Sequence, residues 1–227
     1  MKRIVQPEWL DSLPPDDPRA IRSRKDLIRV NGCMRNPQIM NRALRVCMNG
    51  SAKIIELGAG DGRFLLSVAR GFVRQRQAMT ATLLDQQDNV SSDTRLAFAA
   101  LGWNLEAVVA DAFDWLKTPG AGQVIVANLF LHHFEEDRLA RLLELVARRA
   151  ELFIAVEPRR AFWPLFCSRL LRGIGCNDVT RHDAVVSVQA GFSSNELSRL
   201  WPEKPGWRLT ERAAGAFSHL FIAQKIH

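Results

Sequence analysis

Three features that are missing from this sequence of 227 residues limit the classes of protein to which it can belong. No apolar run approaches the roughly 18 residues of a membrane-spanning helix, and the N-terminus lacks the apolar core of a signal peptide. The four cysteines are scattered without C-x-x-C spacing, and no pair of cysteines or histidines has the spacing of zinc ligands. We therefore expect a cytoplasmic protein with reduced thiols and no metal site.

Acidic residues are scarce between residues 18 and 45, where eight arginines and lysines stand against Asp26 alone. The net charge of the whole chain is +7, so the remainder is close to neutral. Pro18 after Asp17 and Pro37 after Asn36 predict the starts of two helices, so residues 1–48 are expected to form a basic helical arm. Its charge fits either a solvated helical face or contact with an anionic membrane, RNA or an acidic carrier protein.

An apolar run ends in an acid and a glycine-rich turn at residues 54–63, Ile-Ile-Glu-Leu-Gly-Ala-Gly-Asp-Gly-Arg. Glycine permits a close approach that a Cβ would forbid, and a helix expected from about Arg63 to Gln75 would point unpaired N–H groups at a ligand. Arg63 stands where the dinucleotide motif G-x-G-x-x-G has its third glycine, which disfavours a nicotinamide or flavin enzyme. Taken alone, the turn fits a nucleotide-like cofactor or an ordinary strand-to-helix connection.

Three later apolar runs also end in polar residues. Asp85 follows the first run, where an acid can accept hydrogen bonds from both hydroxyls of a ribose. Asp111-Ala112-Phe113 follows the second and suits either the edge of an adenine ring or a helix N-cap. Asn128 follows the third. Because parallel strands end at one edge of a sheet, these groups predict a ligand site there. The three runs are residues 80–84, 105–110 and 124–127.

These segments resemble the class I S-adenosylmethionine-dependent methyltransferases, through ELGAGDG, the acid in LLDQQ, ADAF and ANLFLHHF. Their order and spacing match over about residues 50–160. The resemblance implies an α/β, Rossmann-like fold with a seven-stranded, mostly parallel sheet, an antiparallel C-terminal strand and helices on both faces. Residues 207–212 and 217–224 alternate like two strands joined at Gly215, similar to the hairpin that closes that family's sheet. We expect one such domain over residues 49–227.

The same resemblance implies how S-adenosylmethionine would be held. Glu56 would help to hold the methionine amino group, Asp85 would bind the ribose and Asp111 the adenine. Asn128 would lie where the cofactor meets the acceptor. Gln123 departs from the many family members that have an acid at the start of the fourth strand. The complete expected cofactor set is Glu56, Gly58, Ala59, Gly60, Asp85, Gln86, Asp111, Ala112 and Asn128.

An extension follows the fifth predicted strand, residues 152–156. Residues 161–172 are apolar and aromatic with interleaved arginines, which is typical of an amphipathic helix, and further helices are expected at about 179–190 and 193–200. In this class of fold an insertion there lies over the acceptor side, so residues 158–190 are expected to form a lid. The alternative is a helix that packs on the core. The expected acceptor contacts are apolar side chains, Phe162, Trp163, Phe166 and Leu170.

Methyl transfer requires alignment, desolvation and, for a phenol with a pKa near about 10, removal of a proton. Histidine suits the role of general base near neutral pH. His132 and His133 leave the fourth strand, and His182 lies in the expected lid, so all three are candidates. The alternative role of the first pair is to cap the next helix and pack against the cofactor. The other two histidines, His219 and His227, are expected to be peripheral.

Three functions remain to be compared. We expect methylation, at oxygen, of a small, apolar, phenolic acceptor; the alternatives are an RNA methyltransferase that holds phosphates with the basic arm, and a non-catalytic cofactor-binding partner. Base-directed amino methylation usually comes with the motif N/D-P-P-Y/F, whereas this chain has Asn-Leu-Phe-Leu at 128–131 and no tyrosine. The segments ANLFLHHF, EPRR and GCNDVTRHDA resemble bacterial methyltransferases associated with aromatic polyketide or phenolic lipid pathways. That resemblance implies an alkylated phenol and peripheral contact with a membrane.

Overall fold

The computed structural model describes residues 1–14, 16–48, 53–72, 79–120, 123–202 and 205–226. Within these ranges seven strands form one sheet in the order β3-β2-β1-β4-β5-β7-β6. Neighbours from β3 to β5 are parallel, and β7 runs antiparallel to both β5 and β6. This confirms the predicted Rossmann-like sheet. The strands are β1 (Lys53–Leu57), β2 (Met79–Asp85), β3 (Trp103–Val109), β4 (Gln123–Asn128), β5 (Ala150–Pro158), β6 (Trp207–Ala214) and β7 (Ser218–Lys225).

Helices cover both faces of the sheet, and two 3₁₀ helices lie at Leu131–His133 and Leu170–Ile174. None of the helices in the described ranges is long and apolar enough to cross a membrane. The α-helices are α1 (Trp9–Ser12), α2 (Pro18–Met34), α3 (Asn36–Cys47), α4 (Arg63–Arg70), α5 (Ser92–Ala100), α6 (Ala112–Lys117), α7 (Glu136–Arg149), α8 (Phe162–Arg169), α9 (Asp178–Ala190) and α10 (Glu196–Leu200).

Two helices end or begin at other residues than the sequence predicts. The helix expected from Arg63 to Gln75 ends at Arg70, and its last three predicted residues lie outside the described ranges. α10 was expected from residue 193 but begins at Glu196. The reason is local, because Ser194 adopts a left-handed backbone with φ of 52° that is incompatible with a helix.

Alternate residues of the central strands pack on opposite faces of the sheet. Ile54 of β1 packs against the layer formed by α3, α4 and α5, whereas Ile55 packs against α6, α7 and α10. Both side chains are fully buried, because a parallel sheet covered on two faces has no solvent-facing side. This explains why the strands read as continuous apolar runs in the sequence.

The residues expected to form an arm pack on the rest of the domain. Met40 and Leu44 of α3 are fully buried against the sheet, and α2 contacts α9 through Ser23, whose hydroxyl accepts a hydrogen bond from Thr180 at 2.9 Å. Only the outer face of α2 is solvated. The expected boundary at residues 48 and 49 falls at the start of a segment, 49–52, that lies outside the described ranges.

His219 was expected to be peripheral, and this prediction is wrong. It lies on β7, which is flanked by β5 and β6 in the sheet. Its Nε2 is 2.8 Å from Oε1 of Glu211, whose side chain is buried. The Glu211 carboxylate also accepts the N–H groups of Leu197 and Ser198 at the start of α10. Burial raises the pKa of Glu211, but these hydrogen bonds outweigh burial and lower it. His227 lies outside the described ranges.

Glu211→Gln is expected to lower the free energy of unfolding by about 2–4 kcal/mol near neutral pH, because one amide oxygen cannot replace two carboxylate oxygens. The folded-state pKa of Glu211 is depressed, so its stabilisation is present above the unfolded-state pKa and is lost as pH falls through the folded-state value. Urea denaturation followed by tryptophan fluorescence measures both effects. The matched control, Glu144→Gln, removes a carboxylate of an exposed pair with Arg148 and should cost less than about 1 kcal/mol. Equal losses in the two variants would contradict the assignment.

Candidate active site

The glycine-rich turn joins β1 to α4 at the carboxyl edge of the sheet. Gly58 and Gly60 have φ of 67° and 53°, a backbone conformation that residues with a side chain rarely adopt. A Cβ on Gly58 would lie 2.2 Å from the Phe130 ring, whereas a Cβ on Gly60 would meet nothing within 4 Å. The N–H of Gly60 donates to Oδ2 of Asp85 at 2.9 Å, which ties the turn to β2. The turn therefore combines a fixed backbone with open space at Gly60.

Glu56 at the end of β1 is buried at this edge, and its Oε2 has no hydrogen-bond partner within the described ranges. Burial raises the pKa of Glu56 well above its ordinary value, and the nearby charges of Asp61 and Asp85 raise it further. The N–H of Leu65 acts in the opposite direction. A buried carboxylate oxygen without a partner is costly, and a cationic ligand is the kind of group that would relieve that cost.

Four of the predicted cofactor residues lie at or just beyond the ends of β2 and β3. Asp111 is the N-cap of α6, because its Oδ1 accepts the N–H of Phe113 at 2.8 Å. Its other oxygen accepts a hydrogen bond from Nε2 of Gln86 at 2.9 Å. Asp85, immediately before Gln86, binds the glycine-rich turn. Ala112 is buried directly after Asp111.

Asn128 at the end of β4 is held by a residue that the sequence analysis did not select. Its Oδ1 accepts a hydrogen bond from Nδ2 of Asn36 at 2.8 Å, and Oδ1 of Asn36 accepts one from Ser218 at 2.6 Å. Arg35 immediately precedes Asn36, and Leu129 immediately follows Asn128. Both have left-handed backbones, with φ of 56° and 52°. Such conformations are costly for residues with side chains and are concentrated at functional sites. The start of α3 thus contacts the end of β4 beside the candidate site.

His132 is buried between two carboxylates. Its Nδ1 lies 2.9 Å from Oε2 of Glu157, and its Nε2 lies 3.5 Å from Oε1 of Glu8. Burial by itself would lower the pKa of His132, but the hydrogen bonds to the two carboxylates outweigh burial and raise it to about 9. His132 is therefore an imidazolium ion at neutral pH. An imidazolium ion has protons on both ring nitrogens, so this charge state does not favour His132 as a base.

His133, the next residue in the chain, differs from His132 in charge. His133 is exposed to solvent, whereas His132 is buried. Its ring centroid lies 4.2 Å from that of His132. Burial and the adjacent His132 cation both lower the pKa of His133, so its ring is neutral and can accept a proton. Two adjacent titratable groups with pKa values moved apart are a common arrangement in catalytic sites.

His182 ties the N-terminus of the chain to α9. Its ring stacks on Trp9 with centroids 3.9 Å apart, and its Nδ1 lies 2.9 Å from Oδ1 of Asp183. The Asp183 carboxylate in turn accepts the N–H groups of Trp9 and Leu10. These contacts give His182 a structural role in joining the N-terminal segment to α9.

The four apolar residues predicted to contact the acceptor lie at the surface: Phe162, Trp163, Phe166 and Leu170.

The N-terminal segment, residues 1–13, is a part of the site that the sequence analysis missed. Arg3 donates hydrogen bonds to the carbonyl oxygens of His132, Phe134 and Ala190, at 3.2, 2.9 and 2.7 Å. Glu8 reaches His132 from the same segment. No sequence signal relates residues more than 120 positions apart. Glu157 could have been found, since it is the acid of the EPRR segment at the end of the fifth strand.

The sequence predicted no metal site, yet the fold brings three potential metal ligands together. Ligand atoms of Glu8, His132 and His133 all lie within 4.8 Å of one another. The absence of a metal site therefore stays a prediction from the sequence.

Comparisons with known proteins agree with the fold. A family described as "Methyltransferase domain" matches residues 54–151, which run from β1 into β5. No curated protein matches the sequence. Solved structures resemble the chain at low sequence identity, so their similarity establishes the fold.

One similar structure is the plantazolicin methyltransferase BamL in complex with a triazolic desmethylPZN analog and SAH. It has a TM-score of 0.64 and 13% identity, over 95% of this chain and 92% of that one. The plantazolicin methyltransferase BpumL in complex with SAH has a TM-score of 0.62 and 13% identity, over 92% and 91%. A putative O-methyltransferase from Nostoc punctiforme has a TM-score of 0.60 and 13% identity, and here 90% of this chain covers 60% of the longer one.

Glu8→Gln is expected to lower the pKa of His132, because the side chain loses one of its two anionic partners. Nuclear magnetic resonance titration of the histidine ring protons should show one histidine with a pKa near 9 in the native protein and a lower value in the variant. Glu136→Gln at the exposed start of α7 is the control and should leave this titration unchanged.

The same pair predicts a pH dependence of stability. The folded-state pKa of His132 is raised, so its stabilisation is full below the unfolded-state pKa and is lost as pH rises through about 9. Urea denaturation should show this alkaline loss in the native protein and a smaller one in Glu8→Gln. A histidine titration without any value well above about 6.5 would contradict the proposed charge state.

Proposed function

We propose that this chain is a class I S-adenosylmethionine-dependent methyltransferase that methylates the hydroxyl oxygen of a small, apolar, phenolic acceptor. The observation that carries the proposal is the neutral, accessible His133 beside the fixed His132 cation, just beyond Asn128. A base is needed only where the acceptor must lose a proton, as a phenol must. The putative O-methyltransferase with a similar fold agrees with transfer to oxygen.

The residues at the carboxyl edge fit S-adenosylmethionine. The unpartnered Oε2 of Glu56 suits the cationic amino group of the methionine portion, and the open space at Gly60 admits its chain. Asp85 suits the ribose, and the hydrogen-bonded pair of Gln86 and Asp111 suits the adenine edge. The proposed set is completed by neighbours in the turn and at the next strand ends: Gly58, Ala59, Ala112 and Asn128. When bound, the cofactor supplies an electrophilic methyl group on a sulfonium whose charge also favours a nearby phenolate.

An aromatic cluster lies beside the proposed site and favours an apolar acceptor. Phe134 makes edge-to-face contacts with Phe130 at 5.0 Å and with Phe113 at 5.6 Å between ring centroids. Phe130 also covers Gly58, so the cluster reaches the glycine-rich turn. Edge-to-face contacts stabilise such clusters and leave ring faces free for another aromatic group. We propose that the acceptor ring lies against this cluster.

In the proposed reaction the acceptor oxygen forms a bond to the methyl carbon as the carbon–sulfur bond breaks. The hydroxyl proton passes to a ring nitrogen of His133, which becomes an imidazolium ion and later releases the proton to solvent. His132 and Glu157 hold the base in place, because the Glu157 carboxylate fixes the backbone from Phe130 to His132. The N-terminal segment contacts the buried His132 through Arg3 and Glu8, which limits the access of water to that ring.

Glu56→Gln is expected to weaken the binding of S-adenosylmethionine by about 10-fold to 100-fold, because a charge-assisted hydrogen bond becomes a neutral one. In the native protein the affinity should also rise as pH increases and Glu56 loses its proton, and the variant should lose that dependence. Isothermal titration calorimetry at several pH values measures both. Glu106→Gln, at a half-exposed carboxylate paired with Lys53, is the matched control and should bind as the native protein does. Native-like, pH-dependent affinity in Glu56→Gln would remove Glu56 from the site.

His133→Asn is expected to reduce kcat on alkylphenols by about 10²-fold to 10⁴-fold, since it removes the base without a large change of volume. The fall of kcat at acidic pH in the native protein should be absent from this variant. His182→Asn is the control, because the His182 ring already stacks on Trp9 and contacts the Asp183 carboxylate. The pH profile of this variant should stay native. Initial rates with methyl-labelled cofactor and a panel of alkylphenols test this. Native turnover and pH profile in His133→Asn would exclude His133 as the base.

The acceptor class has its own test. Labelled cofactor is incubated with the protein and an extract of its host, and label is counted in the organic-soluble, RNA and protein fractions. Label in the organic-soluble fraction supports the proposal. Label in RNA or protein overturns the acceptor class without affecting the assignment of the cofactor residues.

A further inference from the structure

The helix α8, which follows β5, and Leu170 directly after it present a group of apolar side chains to solvent. Phe162 is 77% exposed, Trp163 56%, Phe166 43% and Leu170 55%. The rings are in contact, since the centroid of Phe166 lies 6.3 Å from that of Phe162 and 5.8 Å from that of Trp163, in nearly parallel planes. Single exposed apolar residues are ordinary, but a contiguous aromatic group indicates an interaction site.

A second group, of cationic side chains, lies on α2. Arg22 of α2 donates a hydrogen bond to the carbonyl oxygen of Gly175, directly after the second 3₁₀ helix, so α2 adjoins the chain segment that continues α8. α2 turns Ala20, Ser23 and Asp26 inward. Its outer face therefore carries cations and two exposed isoleucines, namely Arg22, Arg24, Lys25, Arg29, Ile21 and Ile28.

We propose that these two groups form one docking surface for an anionic lipid bilayer. This surface, here the aromatic–basic surface, consists of Phe162, Trp163, Phe166 and Leu170 with the outer face of α2. Exposed aromatic and aliphatic side chains beside arginine and lysine are the composition of helices that lie in the headgroup region of a membrane. The proposal stands on the surface itself and does not depend on the identity of the methyl acceptor.

Two other occupants fit the surface less well. In a symmetric dimer the basic face of α2 would lie close to its own copy, and like charges would oppose the contact. Single-stranded RNA would use aromatic rings as platforms for bases, but Phe166 already stacks against both of its neighbours. The exposed Leu170, Ile21 and Ile28 also have no role toward phosphate, whereas acyl chains would accept them.

The position of α8 links the surface to the site. β5 ends at Pro158, at the carboxyl edge of the sheet, and α8 begins at Phe162. Docking by this helix therefore holds the carboxyl edge, where the proposed acceptor enters, near the bilayer. This last step rests on the proposed function, because it assumes an apolar acceptor that is dissolved in lipid.

The test is sedimentation of the full-length protein with vesicles of phosphatidylcholine alone and of phosphatidylcholine mixed with phosphatidylglycerol. We expect binding to the mixed vesicles at low salt and its loss at high salt. The double variants Phe162→Ser/Phe166→Ser and Arg22→Glu/Lys25→Glu should each bind at least about 10-fold more weakly. Leu96→Ser and Arg141→Glu change an exposed leucine on α5 and an exposed arginine on α7, and they should bind like the native protein.

Insertion of the helix has a local readout at Trp163. Lipids brominated on their acyl chains should quench part of the tryptophan emission of the native protein, and this part should be missing in Trp163→Phe. All variants should keep native affinity for S-adenosylmethionine by calorimetry, which separates loss of docking from loss of the fold or of the cofactor site.

Three results would overturn the proposal. The first is an absence of sedimentation with phosphatidylglycerol vesicles, or equal binding to both kinds of vesicle. The second is a dimer in analytical ultracentrifugation, without lipid, that Phe162→Ser/Phe166→Ser abolishes, since the surface would then join two copies. The third is binding of single-stranded RNA that depends on the same aromatic residues and outcompetes the vesicles.

Discussion

The buried carboxylate of Glu157 is the contact on which the geometry of the site depends. It accepts the N–H groups of Phe130 and Leu131 at 3.0 and 2.9 Å, and it also lies 2.9 Å from Nδ1 of His132. A carboxylate that receives several donors in a dry environment holds them in one arrangement, because each alternative would leave a buried polar group unpaired. The chain after β4 is therefore fixed where the cofactor site and the acceptor site are proposed to meet.

The electrostatic character of the site follows from that arrangement. Glu157 and Glu8 keep the proton on His132, and the resulting cation helps to keep His133 neutral. Two residues that are adjacent in sequence and chemically identical thus differ in charge at neutral pH. The difference arises from partners on β5 and in the N-terminal segment, so the N-terminal segment affects the proton chemistry as well as the access of water.

Much of the fold follows from local signals. The continuous apolar runs predicted strands because a parallel sheet buries both faces, and Pro18 and Pro37 predicted the starts of α2 and α3 within one residue. The hairpin near Gly215 and the mostly parallel sheet are confirmed. His219 could not be placed in this way, because its burial depends on β7 lying between β5 and β6, which is a property of strand order.

The sequence by itself determined the chemistry available at one edge of the sheet. A strand end is a local feature, so Glu56, Asp85, Asp111 and Asn128 could be assigned to that edge from spacing and resemblance. Only the tertiary structure decided which of those groups have partners and what charge they carry. Hydrogen bonding and burial are set by residues that are distant in the chain, such as Glu8 with His132 and Asn36 with Asn128. The outward position of the α8 aromatic residues was decided in the same way, because apolar character does not specify whether a helix faces a core, a ligand or a membrane.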